Sequence, residues 1–252
     1  MTPTELLRAF ARTRASLDGS EVTYHWTGDV WSWAPAEPYR RLFGFEGINV
    51  SRLVADGKGG EGGAEGADGY RLLSREAAFY LDPDSREILQ TWQDKKVLHV
   101  WNDPANLRLR PFPIPTTDLG DQVCFSLEIP LAHPSPLPVA EFPANSADDT
   151  YRALELFQFF APADVLTTDE PGVPATMSWT RMSPWLPWME QGARPGGLTF
   201  HCRGRKLPSY ADVPDRTRAF VAAHHPEFAH APAAWSEPNE TSWTYFRRLA
   251  GS

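Results

Sequence analysis

Cysteine is nearly absent from this 252-residue chain, which holds only Cys124 and Cys202. Two cysteines cannot make a disulfide framework, and each sits in an apolar, strand-like run, so both are expected as buried free thiols. Long apolar runs are missing too. None approaches the ~20 residues of a membrane span, and the N-terminal MTPTELLRAFARTRASLDGS breaks its short apolar pairs with arginine, unlike the core of an export signal. The expectation is a cytoplasmic protein without a membrane partner. Positive charge is in deficit: 24 Lys and Arg face 32 Asp and Glu, a net charge of −8. No nucleic-acid partner is expected, because phosphate contacts need a basic face.

Ligand and nucleophile motifs are also lacking. His25, His99, His133 and His201 stand alone, and His224 and His225 are adjacent on one helix, where they cannot face the same ion. There is no His-Glu-x-x-His, Cys-x-x-Cys or Gly-x-Ser-x-Gly, and Gly28 with Gly196-Gly197 forms no dinucleotide fingerprint. Neither a metal nor a cofactor is expected.

What the chain does have is apolar and aromatic content, 42% and 12%, with ten Trp. That excludes disorder for most of its length, and a chain of this size buries about 70–75% of its unfolded surface. Twenty-four Pro and eighteen Gly cut it into short pieces. Runs rich in β-branched and aromatic residues predict strands near 22–33, 48–54, 70–81, 87–92, 96–101, 122–129, 151–160, 175–182 and 197–206. Helical patterns fit only 4–16, 214–224 and 241–249. Many strands with few crossover helices predict a mainly β chain, a single antiparallel β-barrel of lipocalin-like outline spanning 1–252, with a short N-terminal helix and one or two C-terminal ones. Residues 56–69 hold seven Gly and lack the Lys-Ser/Thr ending of a P-loop, so a flexible hairpin loop is expected there.

Strand parity supplies the candidate site. Met177, Trp179 and Arg181 share one face of their strand. An arginine on that face either looks into a cavity with something to bind, or pairs with a core carboxylate or snorkels out. Ser183-Pro-Trp-Leu-Pro-Trp-Met189 is a stiff corner whose Trp185 and Trp188 line a cavity mouth or plug an end. Glu46 is a carboxylate inside an apolar run, with Arg52 as a possible partner, and burial would suit it to acid–base work. Glu76 repeats the situation, and Tyr80 shares its parity.

Several segments together resemble one family. These are Trp26-x-Gly28, Leu42-Phe-Gly-Phe-Glu-Gly-Ile-Asn-Val-Ser-Arg52, Ser74-Arg-Glu-x-x-Phe-Tyr-x-Asp-Pro83, His99-Val-Trp-Asn-Asp-Pro104, Trp179-x-Arg181, Pro184-Trp-Leu-Pro-Trp-Met189 and Pro238-Asn-Glu-Thr-Ser-Trp243. They span most of 20–246 and are similar to the domain-of-unknown-function family 1838. The resemblance implies a β-rich barrel and brings no catalytic residues.

The resulting expectation is a cofactor-independent enzyme that cyclises, isomerises or eliminates on a hydrophobic, oxygenated small molecule inside a barrel cavity. Glu46, Glu76 or Tyr80 moves the proton, and Arg181 or Arg52 holds an oxyanion or carboxylate. Trp26, His99, Trp179, Trp185, Trp188 and His201 complete the substrate contacts. The alternative is a non-catalytic protein binding its ligand in the same cavity. A third reading, a partner-binding module, requires the Trp-rich corner to face solvent.

Overall fold

The N-terminal helix α1 (Pro3–Arg14) starts where Thr2 and Glu5 exchange capping bonds and Pro3 occupies the first turn. This is a computed structural model that describes residues 2–56 and 69–251. The glycine-rich segment expected as a flexible loop lies, apart from its two end residues, outside the described residues.

Three long strands follow: β1 (Val22–Trp33), β2 (Arg40–Ala55) and β3 (Tyr70–Leu81). Short pieces come next: β4 (Thr91–Trp92), β5 (Lys95–Lys96), β6 (Val100–Asn102), β7 (Leu107–Leu109) and β8 (Thr116–Asp118). Four more long strands complete the sheet: β9 (Gln122–Pro134), β10 (Thr150–Pro162), β11 (Thr176–Ser183) and β12 (Gly197–Leu207). Helices α2 (Asp215–His224) and α3 (Ser242–Ala250) close the chain. Ten strands form one antiparallel sheet in the order β6-β3-β2-β1-β12-β11-β10-β9-β8, with β7 also on β3. β4 and β5 make a separate hairpin whose turn residues Gln93 and Asp94 both have positive φ, the geometry a two-residue hairpin turn demands.

The sheet curls, because residues from both of its ends line the same cavities: Glu76 of β3 and Asn102 of β6 meet His133 of β9 and Tyr151 of β10. The closed barrel expected from the strand count is not found. Among the described residues no pairing joins β8 or β9 to β6 or β7, and the ladder stays open on that side. The C-terminal segment crosses the gap instead. Asn239 and Asn106 bond reciprocally at 2.8 and 2.9 Å, Arg247 donates to the Pro136 carbonyl at 2.7 Å, and Trp243 packs on Tyr151.

The main core fills the concave face, where α1 closes one end through Leu7 and Phe10. A second core under α2 covers part of the convex face, with Ile48, Val50, Phe79 and Trp101 against Val213, Val221 and Phe228. Two glycines serve one side chain. Trp26 has Gly47 opposite it on β2 and Gly204 on β12, and a Cβ at Gly47 would lie 2.5 Å from the indole.

Candidate functional site

The register defines the concave face. Trp26 and Gly47 lie in one row with Ala78, while Asn49 faces Glu76 and Phe45 faces Tyr80. On the other side Arg181 stands between Glu155 and Phe200, and Trp179 between Phe157 and Cys202. The face encloses two cavity lobes of about 280 and 250 Å³, and Trp26, Glu76, Ala105, Glu155, Trp179 and Arg181 line both. Each lobe is close to the lower limit for small-molecule sites. Lobe one runs toward the C-terminal segment, past Tyr80, Asn102, Tyr151 and Trp243. Lobe two runs toward α1 between Phe10, Leu127, Phe157, Phe159 and Met177.

Charges meet where the lobes join. Arg181 pairs with Glu155 at 3.0 Å and donates to the Tyr151 hydroxyl. Glu76 accepts from the Asn102 amide at 3.1 Å. Burial, followed by the neighbouring Glu155 carboxylate, raises Glu76 to about 7, against the pull of Arg181 and Arg14. Burial likewise raises the Tyr80 hydroxyl. Three polar atoms on lining residues have no hydrogen-bond partner among the described residues: the indole nitrogens of Trp26 and Trp179 and the Asn102 carbonyl oxygen. Buried polar groups are normally satisfied, so these two donors and one acceptor on cavity-lining residues are exceptions.

The structure therefore brings together Glu76, Tyr80, Arg181, Trp26 and Trp179. It sets the other expected residues elsewhere. Glu46 points from the opposite face of β2, where His25 at 3.1 Å, Arg216 at 2.6 Å and Thr217 bind its carboxylate. Burial alone would raise Glu46, but these hydrogen bonds bring it down to about 2, so it stays ionised and ties α2 to the sheet. Arg52 reaches the Ala233 carbonyl on the convex side. His201 is exposed on that side and bonds to Thr180 at 3.0 Å. His99 is buried among Phe79, Tyr80 and Phe220, accepts from the Tyr80 amide and lines neither lobe. Burial and then His224 lower it to about 4, so it is neutral.

Trp185 and Trp188 are 4% and 5% exposed, so the corner does not face solvent as a partner-binding module requires. Trp188 packs on Phe43, Tyr80 and Trp92, and Trp185 bonds to the Arg194 carbonyl. The corner plugs one end of the cup, and Leu186 between the two tryptophans lines lobe one.

Sequence reasoning missed Glu155, Asn102, Tyr151 and Arg14. Glu155 shares parity with Tyr151, Phe157 and Phe159, the same signal that marks Arg181 beside Met177 and Trp179. Asn102 and Arg14 carry no such signal, since a three-residue strand and a helix end decide their direction. Among the described residues no three His, Cys, Asp or Glu side chains converge as a metal site would require. Cys124 and Cys202 are free and buried.

Fold and site define an open, curved antiparallel cup with an aromatic cavity and a half-buried carboxyl on its wall. The sequence pattern of DUF1838, described as a protein of unknown function, matches residues 19–250. The chain belongs to that family. None of the curated proteins matches the chain.

Proposed function

We propose that the cup is a cofactor-independent enzyme acting on a hydrophobic, oxygenated small molecule, with Glu76 as the group that moves the proton. The observation that carries this reading is a carboxyl raised to about 7 on the shared wall of two aromatic cavity lobes. A catalytic acid or base works best when its pKa lies near the operating pH. Near neutrality Glu76 is half ionised and can both take and return a proton. An isomerisation balances with nothing else added: Glu76 removes a proton from a carbon beside the ligand carbonyl and returns it at another position. Cyclisation and elimination draw on the same parts. Arg181, engaged by Glu155 and Tyr151, sets the charge around Glu76 rather than waiting for a ligand. This reading treats the curled sheet and its C-terminal strap as a barrel-like enclosure, and sets the protein in the cytoplasm, where its two thiols stay reduced.

The test incubates wild type and Glu76→Gln with a small-molecule extract and follows both by mass spectrometry. The expected result is a species that wild type converts and that the variant retains without converting. A ligand bound by both and altered by neither would leave a binding protein and remove the enzyme reading. A species converted equally by both would remove Glu76 from the chemistry.

A further inference from the structure

Arg14 has a cost that the proposed chemistry does not explain. It stands in the last turn of α1 and lines lobe two. Its guanidinium donates to Asn49 Oδ1 at 2.6 Å and to Ser51 Oγ at 3.2 Å, and lies 5.1 Å from the Tyr24 ring centre. All three partners are neutral. Arg181, Arg75, Arg86 and Arg216 each pair with a carboxylate, whereas no ion pair to Arg14 forms among the described residues. Glu76 faces Asn49 across the ladder but bonds to Asn102 instead. Burial accordingly lowers Arg14 from its ordinary range.

A second cation stands nearby. Lys206 of β12 faces Tyr24 of β1 and donates to the carbonyls of Arg12 and Ala15 at the end of α1. Arg14 is the cation that lines the α1 end of lobe two; Phe10, Leu127, Phe157, Phe159 and Met177 form its apolar side, and Glu76, Glu155 and Arg181 line the part shared with lobe one. A guanidinium has five N–H donors, of which Asn49 and Ser51 take two. Three remain, one on each nitrogen, enough to receive a carboxylate.

We infer that lobe two takes the acid end of an apolar carboxylic acid, with Arg14 as its anchor. This rests on the reading of the cavity as a ligand site and names the ligand class. One guanidinium bonded to neutral partners suits a monoanion while Glu76 is protonated, and the apolar side of the lobe suits its hydrocarbon body. Because Asn49, the partner of Arg14, faces Glu76, the carbons nearest the acid group come to lie beside the proton-transfer group.

The test titrates decanoate and decanol into the full-length protein at pH 6, where Glu76 holds its proton and decanoate is ionised, following tryptophan fluorescence, with calorimetry for stoichiometry. Wild type is expected to bind one decanoate at least tenfold more tightly than decanol. Arg14→Met should abolish that preference while leaving decanol affinity within threefold, and Arg14→Lys should keep most of it. Equal affinity of wild type for acid and alcohol would overturn the anchor and leave the cavity reading standing. If neither probe binds, nor the neutral dye N-phenyl-1-naphthylamine, the cavity reading falls and the anchor with it. Should Arg14→Met fail to fold, Arg14→Gln takes its place, because Arg181 also lines the lobe and only a change at Arg14 separates the two guanidiniums.

Discussion

Ionisation of Glu76 is a contest between burial and the two arginines, and burial beside Glu155 prevails. The sign of the consequence follows from linkage. Its native pKa of about 7 lies above the ordinary 4.5, so the native state holds the proton more tightly than the unfolded chain does. The contribution to stability is full below pH 4.5 and is lost as pH rises through 7, a difference of about 3 kcal/mol at most. Glu76→Gln should therefore be more stable than wild type at pH 8, by about 1–3 kcal/mol, and show no gain at pH 4.5. Urea unfolding at the two pH values checks this, and an equal difference at both would contradict it. Arg181 belongs to the same layer. Arg181→Met leaves Glu155 without its counter-ion and should cost about 2–4 kcal/mol, the fully buried figure reduced for the pair's residual exposure. Adding Glu155→Gln should recover at least half of that. A single substitution without effect on the melting temperature would release Arg181 for ligand binding.

At the scale of elements, α2 is fastened to the convex face by Glu46. Here the native pKa of about 2 lies below the ordinary 4.5, so the stability is present above pH 4.5 and lost as pH falls through 2, again about 3 kcal/mol. Glu46→Gln should flatten the acid limb of the stability profile and speed amide exchange in 215–224 more than in β1 or β12. Uniform acceleration would show that the cluster does not hold α2 specifically. The elements themselves were largely legible. Strands 22–33 and 70–81 have the expected bounds, and the three helices fall within a residue or two of theirs. β2 begins eight residues earlier than its alternation suggests, because Gly44 and Gly47 interrupt the pattern. Gly47 makes room for Trp26, and a Cβ at Gly44 would lie 2.5 Å from the Arg86 guanidinium. β9 runs on through Pro130, which an edge tolerates: β8 covers β9 only at 123–125. Parity placed Glu76, Tyr80, Trp179 and Arg181 on shared faces. It could not tell the concave face from the convex one, and so Glu46 looked equivalent to Glu76. Only the packing of α2, some 170 residues distant, separates the two.

The whole molecule is a cup whose open side is spanned by its own C-terminal segment rather than by strand pairing. The Asn106–Asn239 pair holds that strap, and losing one amide leaves partly buried backbone groups unmatched, at about 1–3 kcal/mol. Asn239→Ala should raise exchange across 240–250 while the β1–β2 and β1–β12 ladders stay protected. Loss of protection throughout would mean that the strap completes the fold rather than covering a cavity. All of this matters to function through one carboxyl, so the most direct measurement is its titration. Carbon-13 NMR of Glu-labelled protein, with the Glu76 resonance assigned by its absence in Glu76→Gln, should give a midpoint near pH 7 that moves when decanoate occupies the cavity. A midpoint near 4.5 that decanoate leaves in place would contradict the account, because Glu76 would then be an ordinary solvated carboxylate without a site around it.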